Sequence, residues 1–335
     1  MTNAPRPGLG TRRLIRLMGE AIDRCELDLA GRTVLTEAAS GAYAVTPVLA
    51  ALAGAHVYAL AGPTPYATVA ELMAVTDELA RQAGVAGRIE LVPEKSPEIV
   101  GAADIVTNSG QVRPIDAATV SQLKPSSVIP LMYESWEHRP SDVDLDACRS
   151  RQIPVAGTNE SHPAVDVFSF LGPMAVKQLH DAGIAVYASR VVVLCDNPFS
   201  PFITGYLRNC GAEVAAAPQL SAALLAACPD AVVVALRPGD RPVLSGDGAR
   251  LLADAAPGAV LLQYWGDVDR EALSAAGVPV WPPLPPRPGH MGVLPSAVGP
   301  EPVVRLQAGG LKVGEVLARG VDRASPAELA FVQML

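Results

Sequence analysis

Short apolar runs that alternate with helical stretches constrain the fold of this chain most strongly. One series of runs is followed, after a helical stretch at residues 164–182, by a second series. The first comprises residues 33–37, 56–61, 88–92, 104–107, 127–132 and 154–157, and the second comprises 190–195, 213–216, 231–236, 259–264 and 278–281. Runs rich in Val, Ile and Leu that are separated by helices are typical of parallel sheets covered on both faces. The sequence therefore predicts an α/β fold with two doubly wound parallel sheets.

The order of the runs divides the chain into three parts. Residues 1–185 are predicted to form a flavodoxin- or Rossmann-like domain, and residues 186–295 a second, Rossmann-like domain. Residues 296–335 are predicted to form helices that pack back on the first domain. We expect the active site in the cleft between the two domains, because ligands of such sheets bind beyond the carboxyl ends of the strands.

Composition and charge argue against several classes of partner. The net charge of −8 and the isoelectric point near 5.2 do not suit a surface that binds nucleic acid or an anionic membrane. No apolar run reaches the ~18 residues of a membrane span, and the five cysteines show neither paired nor zinc-ligand spacing. We expect a cytoplasmic protein that binds a small molecule and no metal, with a homodimer left open.

Polar side chains follow several of the predicted strands. A turn of small residues at 37–41 follows the first strand. The candidates after the fourth, fifth and sixth strands are Ser109, Gly110, Arg113, Glu134, Glu137, His138 and His162. The Arg113 guanidinium offers paired donors to a substrate anion. Glu134 or Glu137 would orient the substrate, and His162 would transfer a proton.

Each candidate also has a structural interpretation. The small residues at 37–41 suit close packing at a strand–helix turn, and Arg113 suits a solvated loop. The charges at 134–139 suit local ion pairs on a surface. His162 suits a helix cap, and His290 suits a solvated position in a loop.

Several passages carry a resemblance to a known family. Residues 144–148 read DLDAC and are followed by IPV at 153–155, 230–238 read DAVVVALRP, 257–262 read PGAVLL, and 268–273 read VDREAL. In this order, within residues 103–291, they resemble the D-isomer-specific 2-hydroxyacid dehydrogenases and their formate dehydrogenase relatives. The resemblance implies a substrate domain followed by a nucleotide-binding domain, with NAD or NADP as cofactor.

The resemblance also assigns roles to residues of the second domain. It places the acid–base histidine on His290 and the substrate-clamping arginine on or near Tyr264. The cofactor-binding positions that it implies are Cys195, Asn197, Ser200, Leu236, Arg237 and Pro238.

The sequence departs from the family at the cofactor loop. The three glycines of the dinucleotide fingerprint fall on Cys195, Asn197 and Ser200. Those glycines allow a tight turn, the approach of the pyrophosphate and helix–strand packing. The acid that binds the ribose has no counterpart, because residues 215–217 are all alanine.

Three functions stay open at this point. The first is a divergent NAD(P)-linked oxidoreductase that acts on a small anionic metabolite, in specialised metabolism. The second is a transferase that uses S-adenosylmethionine or another adenosine ligand, bound near the 37–41 turn and residues 104–110. The third is a non-catalytic binding subunit that has lost its cofactor.

Overall fold

The computed structural model describes residues 6–64 and 67–335, and its chain divides into two compact units. Unit 1 comprises residues 1–167 and 299–335, and unit 2 comprises residues 168–298. The strands are β1 (Thr33–Glu37), β2 (His56–Leu60), β3 (Ile89–Val92), β4 (Ile105–Val106), β5 (Ile129–Pro130), β6 (Val155–Thr158), β7 (Arg190–Cys195), β8 (Glu213–Ala217), β9 (Ala231–Ala235), β10 (Val260–Trp265), β11 (Val280–Trp281) and β12 (Val332–Met334). The α-helices are α1 (Thr11–Cys25), α2 (Val45–Leu52), α3 (Val69–Gln82), α4 (Pro97–Ala102), α5 (Ala117–Gln122), α6 (Leu145–Ser150), α7 (Leu171–Asp181), α8 (Ser200–Asn209), α9 (Ala222–Leu225), α10 (Gly246–Ala255), α11 (Arg270–Ala275), α12 (Glu301–Arg319) and α13 (Pro326–Leu329).

Unit 1 is built on one mostly parallel sheet. Its strands run in the order β3-β2-β1-β4, and a bridge between Ile105 and Val128 continues the sheet to β5 and β6. The parallel strands therefore follow the Rossmann order 3-2-1-4-5-6. One face is covered by α1, α2, α3 and α12, and the other by α4, α5 and α6. Burial on both faces explains why these strands read as continuous apolar runs.

Helix α12 lies close against the sheet of unit 1. It packs on α1, α2 and strands β4 to β6. A Cβ atom at Gly314 would lie 2.8 Å from Ile105 Cγ2 and 3.2 Å from Pro130 Cγ, and one at Gly309 would lie 2.7 Å from Val165 Cγ2. Glycine at these positions lets the helix approach the strands more closely than any side chain would allow.

A buried ion pair also anchors α12. Lys312 Nζ lies 3.0 and 2.9 Å from the two carboxylate oxygens of Glu315 and donates to Glu26 O at 2.8 Å. Glu315 also accepts from Asp28 N at 3.0 Å. The pair thus ties α12 to the chain between α1 and β1.

Unit 2 is built on a five-stranded parallel sheet in the order β11-β10-β9-β7-β8. In the numbering of this unit alone, the order is 2-1-3-4-5, the flavodoxin order. Helix α7 belongs to this unit, because Tyr264 donates to Leu171 O at 3.0 Å and the Gln178 amide donates to Gln263 O at 2.9 Å.

The predicted α/β fold with two doubly wound parallel sheets is confirmed. The boundaries differ from the predicted 185/186 and 295/296, since the units divide after Val167 and after Val298. The predicted boundary fell after α7, and the contacts of α7 with β10 place this helix in unit 2. Residues 299–335 lie in unit 1, but they do not form helices alone. β12 pairs antiparallel with β6, which covers the free edge of that strand.

Among the residues that the structure describes, none of the helices combines the length and the apolar character that crossing a lipid bilayer requires.

We expect Lys312→Met to lower the free energy of unfolding by about 3 kcal/mol, because it leaves the Glu315 carboxylate buried without its main partner. Lys177→Met is the matched control, since Lys177 pairs with Asp181 at an exposed position of α7 and should change stability by less than ~1 kcal/mol. Denaturant unfolding of both variants measures the difference. Equal effects of the two substitutions would show that the buried pair does not anchor α12.

We expect Gly157→Ala to lower the melting temperature, because the added Cβ would lie 2.3 Å from Ser135 N, a backbone atom that has no room to retreat. Overpacking of this kind costs ~1–3 kcal/mol. Gly19→Ala is the control, since nothing lies within 4 Å of its added Cβ in the middle of α1, and it should stabilise by ~0.5–1 kcal/mol. Thermal unfolding measures both, and a neutral Gly157→Ala would contradict the close approach.

Candidate functional site

The crevice of the unit 1 sheet opens between the ends of β1 and β4, where the strand order reverses. Glu37 ends β1 there, and one of its carboxylate oxygens accepts from Gln111 N at 3.1 Å. Burial raises the pKa of Glu37, while the Gln111 N–H and the charge of Arg113 lower it. A Cβ at Gly110 would lie 2.1 Å from the same carboxylate oxygen. Glycine at position 110 therefore leaves room for the Glu37 carboxylate. This packing gives a structural reason for the glycine, and its predicted contact with the substrate stays a prediction.

The hydroxyl groups beside this crevice bind one another. Ser109 Oγ donates to Thr107 Oγ1 at 2.9 Å, and Thr107 Oγ1 donates to Thr36 Oγ1 at 2.8 Å. Asn108 Oδ1 accepts from Met132 N at 2.7 Å and links the ends of β4 and β5. Ser109 is 7% exposed. Its predicted role as a substrate contact stays a prediction, and the structure shows its hydroxyl donating inside the sheet.

Arg113 belongs to a charged cluster around Asp142. The Asp142 carboxylate accepts from Arg113 at 2.9 Å, from the Tyr133 hydroxyl at 3.0 Å and from Arg139 at 3.4 Å. Arg139 also lies over the Tyr133 ring, 5.6 Å from its centre. Burial, followed by the charge of Asp142, raises the pKa of Tyr133. The Arg113 guanidinium is therefore already paired with the Asp142 carboxylate, and its predicted contact with a substrate anion stays a prediction.

Glu134 is held by three hydrogen bonds. Its carboxylate accepts from Glu160 N at 2.8 Å, from Trp136 Nε1 at 2.9 Å and from the Gln333 amide at 2.6 Å. Gln333 lies on β12, and its Oε1 accepts from Ser135 N at 2.9 Å. Gln333 thus fixes both the Glu134 carboxylate and the backbone of the turn at 134–137.

Glu160 is buried and Glu137 is half-buried beside Glu134. Glu137 N donates to Glu134 O at 3.0 Å, and Glu160 N donates to the Glu134 carboxylate at 2.8 Å, so Glu134 binds the backbone of both residues. Burial raises the pKa of Glu137 to about 7, and the charge of Arg139 opposes this shift. Burial, with the charges of Glu137 and Glu134, raises the pKa of Glu160 well above its ordinary range. Burial therefore favours the protonated form of both carboxyl groups.

Sequence reasoning found Glu134, Glu137 and the turn that begins at Glu37, but missed Glu160 and Gln333. Glu160 stands two residues before His162, and the predicted site took only the histidine from that turn. An acid close after a buried strand was the available signal for Glu160. Gln333 had no signal, because only the antiparallel pairing of β12 brings it to Glu134.

The two histidines predicted in unit 1 have structural partners. His162 Nδ1 accepts from Ala164 N at 3.2 Å, and its ring stacks on Phe331 with centres 3.8 Å apart. Burial lowers the pKa of His162, which favours the neutral form that this acceptor role needs. His138 Nε2 lies 3.1 Å from Val143 O. His162 thus binds the backbone of a turn in which no helix begins, and its role in proton transfer stays a prediction.

In unit 2, two residues predicted to contact the substrate lie in different surroundings. Tyr264 is fully buried, and its hydroxyl donates to Leu171 O. The side chain of Tyr264 thus holds α7 against β10, and its predicted contact with the substrate stays a prediction. His290 Nδ1 lies 3.0 Å from Pro288 O in the proline-rich loop, and its acid–base role stays a prediction.

The predicted cofactor positions lie at the ends of β7 and β9. Cys195 ends β7, and its Sγ lies 3.4 Å from Asn197 Oδ1. Ser200 begins α8, and Leu236, Arg237 and Pro238 follow β9. Asn197 donates to Ala235 O across the gap between these strands, at 2.7 Å. The side chain of Asn197 thus fills the space that a glycine would leave to a pyrophosphate, and the residues present do not fit a dinucleotide gripped in the ordinary way.

Within the described part of the chain, no three His, Cys, Asp or Glu side chains are arranged to hold a metal ion.

No protein-family model and no curated protein matches this sequence. Solved structures do share the fold. One of the dipicolinate synthase subunits from Bacillus halodurans is 10% identical, with a TM-score of 0.53 over 84% of this chain and 96% of that one. A dipicolinate synthase chain from Bacillus subtilis is 12% identical, with a TM-score of 0.52 over 89% and 98%. A candidate D-3-phosphoglycerate dehydrogenase, an oxidoreductase from Ralstonia solanacearum, is 12% identical, with a TM-score of 0.51 over 89% and 97%. The chain thus has the two-unit, Rossmann-like fold of dehydrogenase structures.

Proposed function

We propose that this chain is an enzyme of oxidoreductase type that acts on a small molecule, with its proton transfer at the Glu137–Glu160 pair. The observation that carries the proposal is the grouping of Glu137 and Glu160 around Glu134, which accepts from the backbone N–H of both residues, with the carboxyl pKa values of the two raised. The general class comes from the fold shared with a dehydrogenase structure, and the proton chemistry comes from the residues of unit 1.

Two carboxyl groups whose pKa values are raised by burial suit acid–base chemistry near neutral pH. A carboxyl group with a pKa of about 7, as at Glu137, both gives and takes a proton readily at that pH. Reduction of a carbonyl to a hydroxyl group needs such a proton on the oxygen and a hydride on the carbon, and the hydride would come from a separate reduced co-substrate that takes it back in the reverse reaction. Glu134, fixed by its three donors, would keep its neighbours in place.

The charges of this site favour a neutral or cationic substrate group over the small anion that the sequence suggested. Arg113 and Arg139 both bind Asp142. Three carboxyl groups, those of Glu134, Glu137 and Glu160, lie beside them, and the charge of Arg139 acts on Glu137. A substrate hydroxyl or ammonium group would find acceptors here, and a carboxylate would be repelled.

The nicotinamide cofactor of the initial hypothesis is not part of this proposal, because the residues around Asn197 do not fit it. No observation favours the S-adenosylmethionine alternative either, since Glu37 binds the chain's own Gln111 N–H. The non-catalytic binding subunit is the remaining competitor, and turnover separates it from an enzyme.

We expect the wild-type protein to consume a component of a small-molecule cell extract, followed by mass spectrometry. Glu137→Gln and Glu160→Gln should each slow that consumption by ~10²-fold or more, because the amide neither gives nor takes the proton. Glu90→Gln, at an exposed position of β3, is the control and should leave the rate unchanged.

Two outcomes would contradict the proposal. Turnover that both glutamine variants retain would remove the carboxyl pair from the chemistry. Saturable binding of an extract component without turnover would favour the binding subunit.

We also expect the stability of the folded protein to fall as the pH rises from about 4.5 to about 7. Glu137 keeps its proton in the folded chain up to a pKa of about 7, whereas its ordinary value is 4.5, so the folded state binds more protons across this window. Thermal unfolding between pH 5 and pH 8, in steps of about one unit, measures the trend. In Glu137→Gln the fall should be smaller and the melting temperature at about pH 8 higher than in the wild type. A stability that rises through this window would contradict the buried, proton-holding pair.

A further inference from the structure

The crevice of the unit 2 sheet lies between the ends of β7 and β9, the strands on either side of its switch point. In a doubly wound sheet this is where a nucleotide pyrophosphate meets the N-terminus of the following helix. We infer that in this chain Asn197 takes the place of that pyrophosphate, and that unit 2 binds no dinucleotide in this crevice.

The amide of Asn197 satisfies both sides of the crevice. Its Oδ1 accepts from Phe199 N at 3.0 Å, on the side that leads into α8. Its Nδ2 donates to Ala235 O at 2.7 Å, at the end of β9. A pyrophosphate oxygen offers acceptors only, so it would replace the first bond and leave the carbonyl of Ala235 facing a negative charge.

The start of α8 has few N–H groups left for an anion. Phe199 N is bound by the Asn197 side chain, and Ser200 N donates to Asn197 O at 3.4 Å. The next residue, Pro201, has no N–H. Three of the backbone positions that could bind phosphate at this helix start, Phe199, Ser200 and Pro201, are therefore used or lack an N–H.

Charge and packing at the crevice act in the same direction. Asp196 is exposed at the mouth, and its carboxylate accepts from Arg237 N at 3.0 Å, so a negative group already holds the loop after β9. Phe199 is 3% exposed and packs between Phe168 and Trp265, with ring centres 5.3 and 5.5 Å away. The turn is thus anchored in the core and is not free to swing aside for a ligand.

This inference concerns residues of unit 2 alone, so it stands or falls separately from the carboxyl pair of unit 1. The experiment is thermal unfolding and calorimetric titration of the full chain with NAD⁺, NADH, NADP⁺ and NADPH in turn. A nucleotide present at ~100 times its Kd raises the melting temperature by several degrees. We expect a shift of less than about 1 °C with all four, and no saturable heat.

Two sets of variants make the test decisive. If a dinucleotide does bind, weakening by about tenfold or more in both Asn197→Ala and Arg237→Ala would overturn the inference, because the site would then be this crevice. Binding that neither variant changes would support it, because the site would lie elsewhere.

The second readout is stability without ligand. Asn197→Ala should lower the melting temperature by about 3 °C or more, since it leaves Phe199 N and Ala235 O without their partner. Asn209→Ala, at the exposed end of α8, is the matched control and should change it by less than about 1 °C. An Asn197→Ala variant as stable as the control would overturn the inference.

Discussion

The close packing of α12 against β4, β5 and β6 is the interaction on which the rest of unit 1 depends. The chain leaves this unit after Val167 and returns at Gly299, so part of the cover of the sheet comes from α12, late in the sequence. Glycines at the contact let the helix lie close to the strands, and the buried Lys312–Glu315 pair ties the same part of the helix to the chain between α1 and β1. Because α12 is in place, the segment after it reaches the edge of β6 and brings Gln333 to Glu134.

The carboxyl edge of unit 1 keeps several acids away from water, which is costly unless each charge is compensated. The structure compensates them in different ways. Glu134 receives three hydrogen bonds, Asp142 is paired with two arginines, and burial raises the pKa of Glu137 and Glu160. The first two arrangements are complete within the protein. The third favours carboxyl groups that give and take a proton near neutral pH, and for this reason we connect it with catalysis.

The two units share an architecture and differ at their switch points. Unit 1 has the longer 3-2-1-4-5-6 sheet, and loops after β1 and β4 meet at Glu37 and Gly110. Unit 2 has the shorter 2-1-3-4-5 sheet, and a single side chain, Asn197, satisfies both walls of its crevice. A shared fold therefore does not give the two crevices the same capacity for ligands, since that capacity depends on which donors and acceptors the loops leave unused.

The sequence by itself determined the fold class, because alternation of apolar strands and helices leaves few other ways to bury these residues. It also placed polar residues at the strand ends and identified the missing glycines at Cys195, Asn197 and Ser200. Tertiary structure alone decided the order of the strands, the pairing of Arg113 with Asp142 and the meeting of Glu137 with Glu160. Local periodicity shows which side chains are buried and where each strand ends. Which strand ends become neighbours depends on the connections between the strands and on residues 299–335, which belong to unit 1. Both bring together residues that lie far apart in the sequence.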